Sequence, residues 1–277
     1  MSMARFTCLL LLLVLSGCML PTGKLASPDF LKETTARGQA LKIAEISVKT
    51  GNIAAAIDVY QKILEKDPTD TDTLYKLGAL YLQAGAAIEA IEIFERLEQE
   101  TPEDSKVLMG LGRANLFLYR PAIAALYFEK SIDLDADHVA ALSGFGISSD
   151  MAGRHAMARS LYLQALLLTP KDIGLKNNFA LSFLMEGDYE TAITHLNEIA
   201  FGDDATAVIR QNLAMAYGLK GDREAASRIS GLDLDPATVE NNLRYYELLR
   251  RIDDKDSIRR LLLGPRTPYA PQLEEVS

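Results

Sequence analysis

The chain has 277 residues, 48% of them hydrophobic and 24% charged, and its 29 lysines and arginines against 38 aspartates and glutamates leave a formal charge of −9. This is the composition of a folded protein long enough for a sizeable core, and its charge disfavours nucleic acid and anionic lipid surfaces as partners. Both cysteines, Cys8 and Cys18, precede Met19, so the body holds neither a disulfide nor a cysteine metal site. In chain order, Arg5 comes first and an apolar run, Phe6 to Leu15, follows, too short to cross a bilayer as a helix. Residues 1–17 read as a signal peptide.

The stretch Leu15-Ser16-Gly17-Cys18 is similar to the lipobox of bacterial lipoproteins. That resemblance implies acylation of the Cys18 thiol, cleavage in front of it, and an anchor far stronger than one reversible acyl chain. An ordinary secretory signal with an incidental cysteine is the alternative. Met19 is not the aspartate that retains such lipoproteins at the inner membrane, which implies an outer-membrane location facing the periplasm. Residues 18–36 form the lipidated cysteine and a flexible tether, with Pro21, Gly23, Ser27 and Pro28 and no sustained periodicity. Phe30 and Leu31 can begin packing on the body.

From residue 37 to 240 the chain repeats with a step of 34 residues. One column reads Ala44, Gly78, Gly112, Gly146, Ala180, Ala214 and a second Ala56, Ala90, Ala124, Ala158, Ala192, Ala226. A third reads Tyr60, Phe94, Phe128, Tyr162, Leu196, Ser230, and a turn column Gly51, Gly85, Tyr119, Gly153, Gly187, Gly221. Apolar residues at helical spacing on either side of each turn predict two helices per repeat. Small residues let the two helices approach, and the large one fills the space between pairs. The pattern resembles the tetratricopeptide repeat in order and length. It implies an all-α, right-handed solenoid of about six such helix-turn-helix repeats. Pro236 to Arg251 reads as a further helix and Asp256 to Leu263 as a shorter one; residues 241–263 are expected as C-terminal capping helices, with a polar outer face from Glu240, Arg244, Glu247, Arg250 and Arg251, and residues 264–277 as a disordered tail.

No residue set favours catalysis. His138, His155 and His195 are scattered and read as solvated, and Asp133, Asp135 and Asp137 read as a turn, because His138 and Gly144 stand where a calcium loop needs glycine and glutamate. Gly110-Leu111-Gly112 and Gly144-Phe145-Gly146 lack the strand and the G-K-S/T of a phosphate loop. An enzyme with accessory repeats is a different-class alternative, but residues 37–240 leave little chain for a catalytic domain. A non-enzymatic protein with no cofactor, no metal and no small-molecule substrate is expected, with protein partners instead.

In a helical-pair solenoid the first helices line a groove. By resemblance to the family, the groove-facing polar set is Lys42, Glu45, Asp72, Tyr75, Lys76, Lys106, Arg113, Asn177, Asn178, Gln211 and Asn212. Asn178 and Asn212 hold the position whose amide, in peptide-binding members, both donates to and accepts from an extended backbone. Merely hydrating a helix face is the other reading of these amides.

The fifth and sixth repeats, with Arg210-Gln211-Asn212-Leu213 and the Asp235-Pro236 helix, resemble the TadD-type repeat lipoproteins of the tight-adherence (Flp) pilus system. That resemblance implies an outer-membrane assembly factor acting on the secretin channel or its partners. Pilotin-like repeat lipoproteins of type IV pili, and NlpI-like scaffolds for cell-wall enzymes, share the anchor and the groove and remain the alternative.

Overall fold

The computed structural model describes residues 28–252 together with Asp254 and Ser257, with side chains from Ala36 onward. Thirteen α-helices and no strand are found among the described residues. They form six pairs, α1 (Pro28–Lys49) with α2 (Ile53–Lys66), α3 (Thr71–Gln83) with α4 (Ala87–Glu100), and α5 (Ser105–Phe117) with α6 (Pro121–Leu134). Then follow α7 (Val139–Met151) with α8 (His155–Leu168), α9 (Ile173–Glu186) with α10 (Tyr189–Ala200), and α11 (Ala207–Lys220) with α12 (Arg223–Ser230). A last helix, α13 (Pro236–Arg250), packs on α11 and α12.

First helices begin at Thr71, Ser105, Val139, Ile173 and Ala207, and second helices at Ile53, Ala87, Pro121, His155, Tyr189 and Arg223, each series keeping the 34-residue step. Local chemistry sets these starts. Asp70, Asp104 and Asp172 each accept a backbone N–H in the first turn of α3, α5 and α9, and Thr206 does the same for α11. Pro121 begins α6, where its missing N–H costs nothing. All six turn residues are left-handed, and the five glycines among them adopt this without a Cβ penalty. Tyr119 takes the same turn at φ 54, a strained conformation for a bulky side chain.

The large residues of the second and third repeats are buried between two first helices. A Cβ on Gly78 or Gly110 would lie 2.9 or 2.6 Å from the Phe94 ring, and on Gly112 or Gly144 it would lie 2.7 or 2.4 Å from Phe128. Both glycine-x-glycine runs are therefore seats for aromatic rings.

Two boundaries differ from the sequence reading. Helix α1 starts at Pro28, inside the stretch expected as tether to residue 36, and a proline at the first helical position costs no hydrogen bond. At the other end α12 is only 8 residues long and α13 begins at Pro236, as the helix read over Pro236 to Arg251 predicts, so only the repeat span drawn to residue 240 overlaps it. Asp235 caps α13 through the N–H groups of Ala237 and Thr238. The signal peptide, Cys18, most of the shorter helix at 256–263 and the tail lie outside the described residues.

Candidate protein-binding groove

From α3 to α13 each first helix touches the next first helix, whereas no such packing joins successive second helices. The first helices therefore lie on the inner side of the stack, and their outward faces line its groove. Between α5 and α7 that face holds a cavity of about 480 Å³, walled by Arg113, Phe117, Tyr119, Ser143, Ile147 and Met151. Phe117 is 49% exposed beside it. Arg113 makes no ion pair among the described residues. A second cavity of about 520 Å³ repeats the geometry where Glu45, Tyr75, Lys76 and Ala79 meet.

The expected polar set is only partly free. Lys42, Lys106 and Arg113 are exposed, without an ion pair among the described residues. Lys76 is engaged by Asp72 one turn away at 2.8 Å, and that hydrogen bond raises its pKa. Asn212 does not pair with Asn178 along one wall: its Nδ2 donates to Asn177 Oδ1 at 2.9 Å, tying α11 to α9. Asn178 is half-buried and has no side-chain hydrogen bond among the described residues. Gln211 turns toward α12, where its Nε2 donates to the Ser230 carbonyl and to Asp233, and its Oε1 accepts from the Ser230 hydroxyl. Arg210 pairs with Asp233 as well, and the Arg210 hydrogen bond holds the Asp233 carboxyl below the usual range. The Arg210-Gln211 stretch therefore fastens the turn into α13, and of the four amides Asn178 alone is left to meet a ligand.

The apolar half of the groove escaped a search confined to polar positions. Ile147 shares the helical position of Arg113, and Met151 that of Phe117, one repeat apart, so the column spacing itself could have found them.

The histidines also depart from the sequence reading of solvated groups. His155 is buried, its Nδ1 2.8 Å from Asp150 Oδ1. The Ser182 hydroxyl donates to the same oxygen at 2.7 Å, and the Tyr162 hydroxyl to Asp150 Oδ2 at 3.0 Å. Burial, then the Asp150 charge, pushes the Tyr162 phenol far above its usual value. His138 Nδ1 lies 2.8 Å from Ser105 Oγ and 3.1 Å from Ser131 Oγ. His195 stacks on Phe183, while Arg159 covers that ring at 4.4 Å. Asp150 occupies a helical position that is leucine in α3, α5 and α9, so only the sequence register exposes it as a buried carboxylate.

Residues 47–114 match the profile of the tetratricopeptide repeat family. The solenoid is a tetratricopeptide-repeat fold. A tetratricopeptide repeat protein from Parabacteroides merdae superposes with a TM-score of 0.65 at 17% identity, over 79% of this chain and 89% of that one. The pilF protein of Pseudomonas aeruginosa gives 0.61 at 18% identity, over 78% and 99%. A MamA protein gives 0.51 at 23% identity, over 61% and 97%. These likenesses are of fold. No curated protein matches the sequence. Tetratricopeptide repeats are in general non-enzymatic scaffolds that bind other proteins, and the groove is the surface such scaffolds offer.

Proposed function

We propose that the chain is a lipid-anchored scaffold of the outer membrane, facing the periplasm, that holds an extended segment of a pilus-assembly protein, such as the secretin, along its first-helix face. The lipobox at Cys18 supports the anchor, and the resemblance of the last two repeats to TadD-type lipoproteins supports the assembly system. The observation that carries the binding reading is the α5–α7 cavity, apolar from Phe117 to Met151 and edged by the unpaired Arg113. It is open and repeat-sized, and its charged rim can orient a backbone carbonyl or an acidic side chain while the cavity takes an apolar one.

Titration of the periplasmic region of a Flp-pilus secretin, against the chain from residue 19 onward, tests the reading. Arg113→Glu with Phe117→Ala is expected to weaken binding about a hundredfold without moving the thermal midpoint, because both side chains are exposed. Unchanged affinity in that variant would place the partner elsewhere. Cys18→Ser tests the anchor separately, with loss of the chain from the outer-membrane fraction as the expected outcome.

A further inference from the structure

Five of the six first helices bury one whole side under the preceding second helix. On α3, α5, α7, α9 and α11 that side carries Thr73, Val107, Ala141, Leu175 and Ile209, and, seven residues on, Leu80, Ala114, Ser148, Ser182 and Ala216, all buried. Between these columns, Leu77, Leu111, Phe145 and Leu213 are buried as well. On α1 the same three columns hold Gln39, Ile43 and Ile46, and each isoleucine is 56% exposed. Beside them α1 and α2 enclose a cavity of about 650 Å³, with Ala40, Ile43, Val59 and Ile63 on its walls and Lys62 and Lys66 at its edge beside Glu65 and Asp67.

We propose that this end of the solenoid is a second binding surface, distinct from the groove, and that its occupant is an acidic amphipathic helix supplied by a partner protein. The shape argument is internal to the molecule. The same helix side, five times over, is covered by a helix and not by an extended strand or a loop. The charge argument is local. Residues 36–67 carry Arg37, Lys42, Lys49, Lys62 and Lys66 against Glu45, Asp58, Glu65 and Asp67, and with Arg37 paired to Asp70 the region is neutral in a chain of −9. Lys62 and Lys66 have no ion pair among the described residues, so an acid on the incoming helix finds them unengaged. A two-fold contact with a second copy would instead bring the Lys62 and Lys66 edge against its own counterpart.

The helix that already covers such a side supplies the probe. Helix α4 lies on α5, is acidic through Glu89, Glu92, Glu95, Glu98 and Glu100 against Arg96, and seats Phe94 over Gly110. A fluorescein-labelled peptide of residues 87–100, held helical by one side-chain lactam, is titrated into the chain from residue 19 onward and followed by anisotropy. Saturable binding is expected, weakened about tenfold or more by Ile43→Ser with Ile46→Ser, and by about threefold or more by Lys62→Glu with Lys66→Glu. Phe94→Ala in the peptide is expected to weaken it similarly. No binding, or binding that ignores the isoleucine variant because the peptide displaces its own counterpart at α5, overturns the proposal. So does a dimer in sedimentation that the isoleucine variant dissociates, since the occupant is then a second copy. Peptide binding that appears only after residues 19–27 are removed also overturns it, because those residues then fill the site. Unchanged melting of each variant keeps these outcomes separate from unfolding. The groove variant Arg113→Glu with Phe117→Ala is expected to bind the peptide like the parent chain.

Discussion

Asp150 shows how one side chain can fix the middle of the stack. It accepts hydrogen bonds from the hydroxyls of Tyr162 and Ser182 and engages His155, and all four residues are buried. The network joins α7, α8 and α9, so it selects one arrangement of neighbouring repeats where apolar contacts alone tolerate sliding. Asp150→Ala leaves three buried polar groups without their partner and is expected to cost about 3 kcal/mol or more. Asp150→Asn keeps an acceptor and should cost clearly less, as denaturant unfolding of the two variants would show. Tyr119 is the opposite case, a residue whose backbone is strained and whose side chain lines the groove cavity. Relief of a left-handed tyrosine is worth roughly 1–2 kcal/mol, and the added freedom of glycine in the unfolded chain takes back part of that. Tyr119→Gly should therefore raise the thermal midpoint slightly while weakening capture of a groove ligand. A variant that gains stability and keeps full affinity would show the strain to be without function.

At the level of helices, the sequence period is the reason so much was readable in advance. Helix starts recur at the step of the columns because each turn needs the same left-handed residue and each aromatic needs small residues on both sides. What the period could not show is which way a polar residue points. Arg210 and Gln211 bind Asp233 rather than a ligand, because those contacts join segments more than twenty residues apart, and His155 sits under Asp150 only once the α7–α8 turn folds back. The same long-range logic ties α1 to α3. Arg37 donates through Nε to Asp70 Oδ2 at 2.9 Å, and the Thr73 hydroxyl donates to that oxygen at 2.9 Å. Burial alone would raise the Asp70 pKa, but the hydrogen bonds from Arg37 and Thr73 hold it below the ordinary carboxylate value. A depressed folded pKa contributes stability that is present above the unfolded value, about 3.9, and is lost as pH falls through the folded one. Melts recorded from pH 6 downward should therefore stay flat to about pH 4 and then drop. Asp70→Asn should flatten part of that drop and lower the midpoint at neutral pH. An identical acid limb in parent and variant would remove Asp70 from the account.

Across the whole molecule the two ends of the stack are unlike, and this governs how it should come apart. In a solenoid each repeat is held chiefly by its neighbours, so stability is a sum of local terms and opening starts where a neighbour is missing. The α1 end carries exposed isoleucines, while the α13 end is closed by Leu243, Tyr246 and Leu249, all buried, and by Arg223 paired to Glu240 and Glu247. Tyr246 has a particular place there. The sixth repeat has Ser230 where the others have a large residue, and Tyr246 comes back from α13 to this place, with its ring where a Cβ on Gly218 would lie 2.2 Å from it. Burial pushes its phenol up to about 12. Tyr246→Ala removes a buried ring and should cost about 3–5 kcal/mol of local stability. The effect should be confined. Amide exchange is expected to accelerate through α11, α12 and α13 in the variant while α5 to α8 keep their protection, because no second helix or cap residue there touches the lost ring. Loss of protection spreading evenly through all repeats would mean that the stack unfolds as one cooperative unit, with its end cap coupled to its centre.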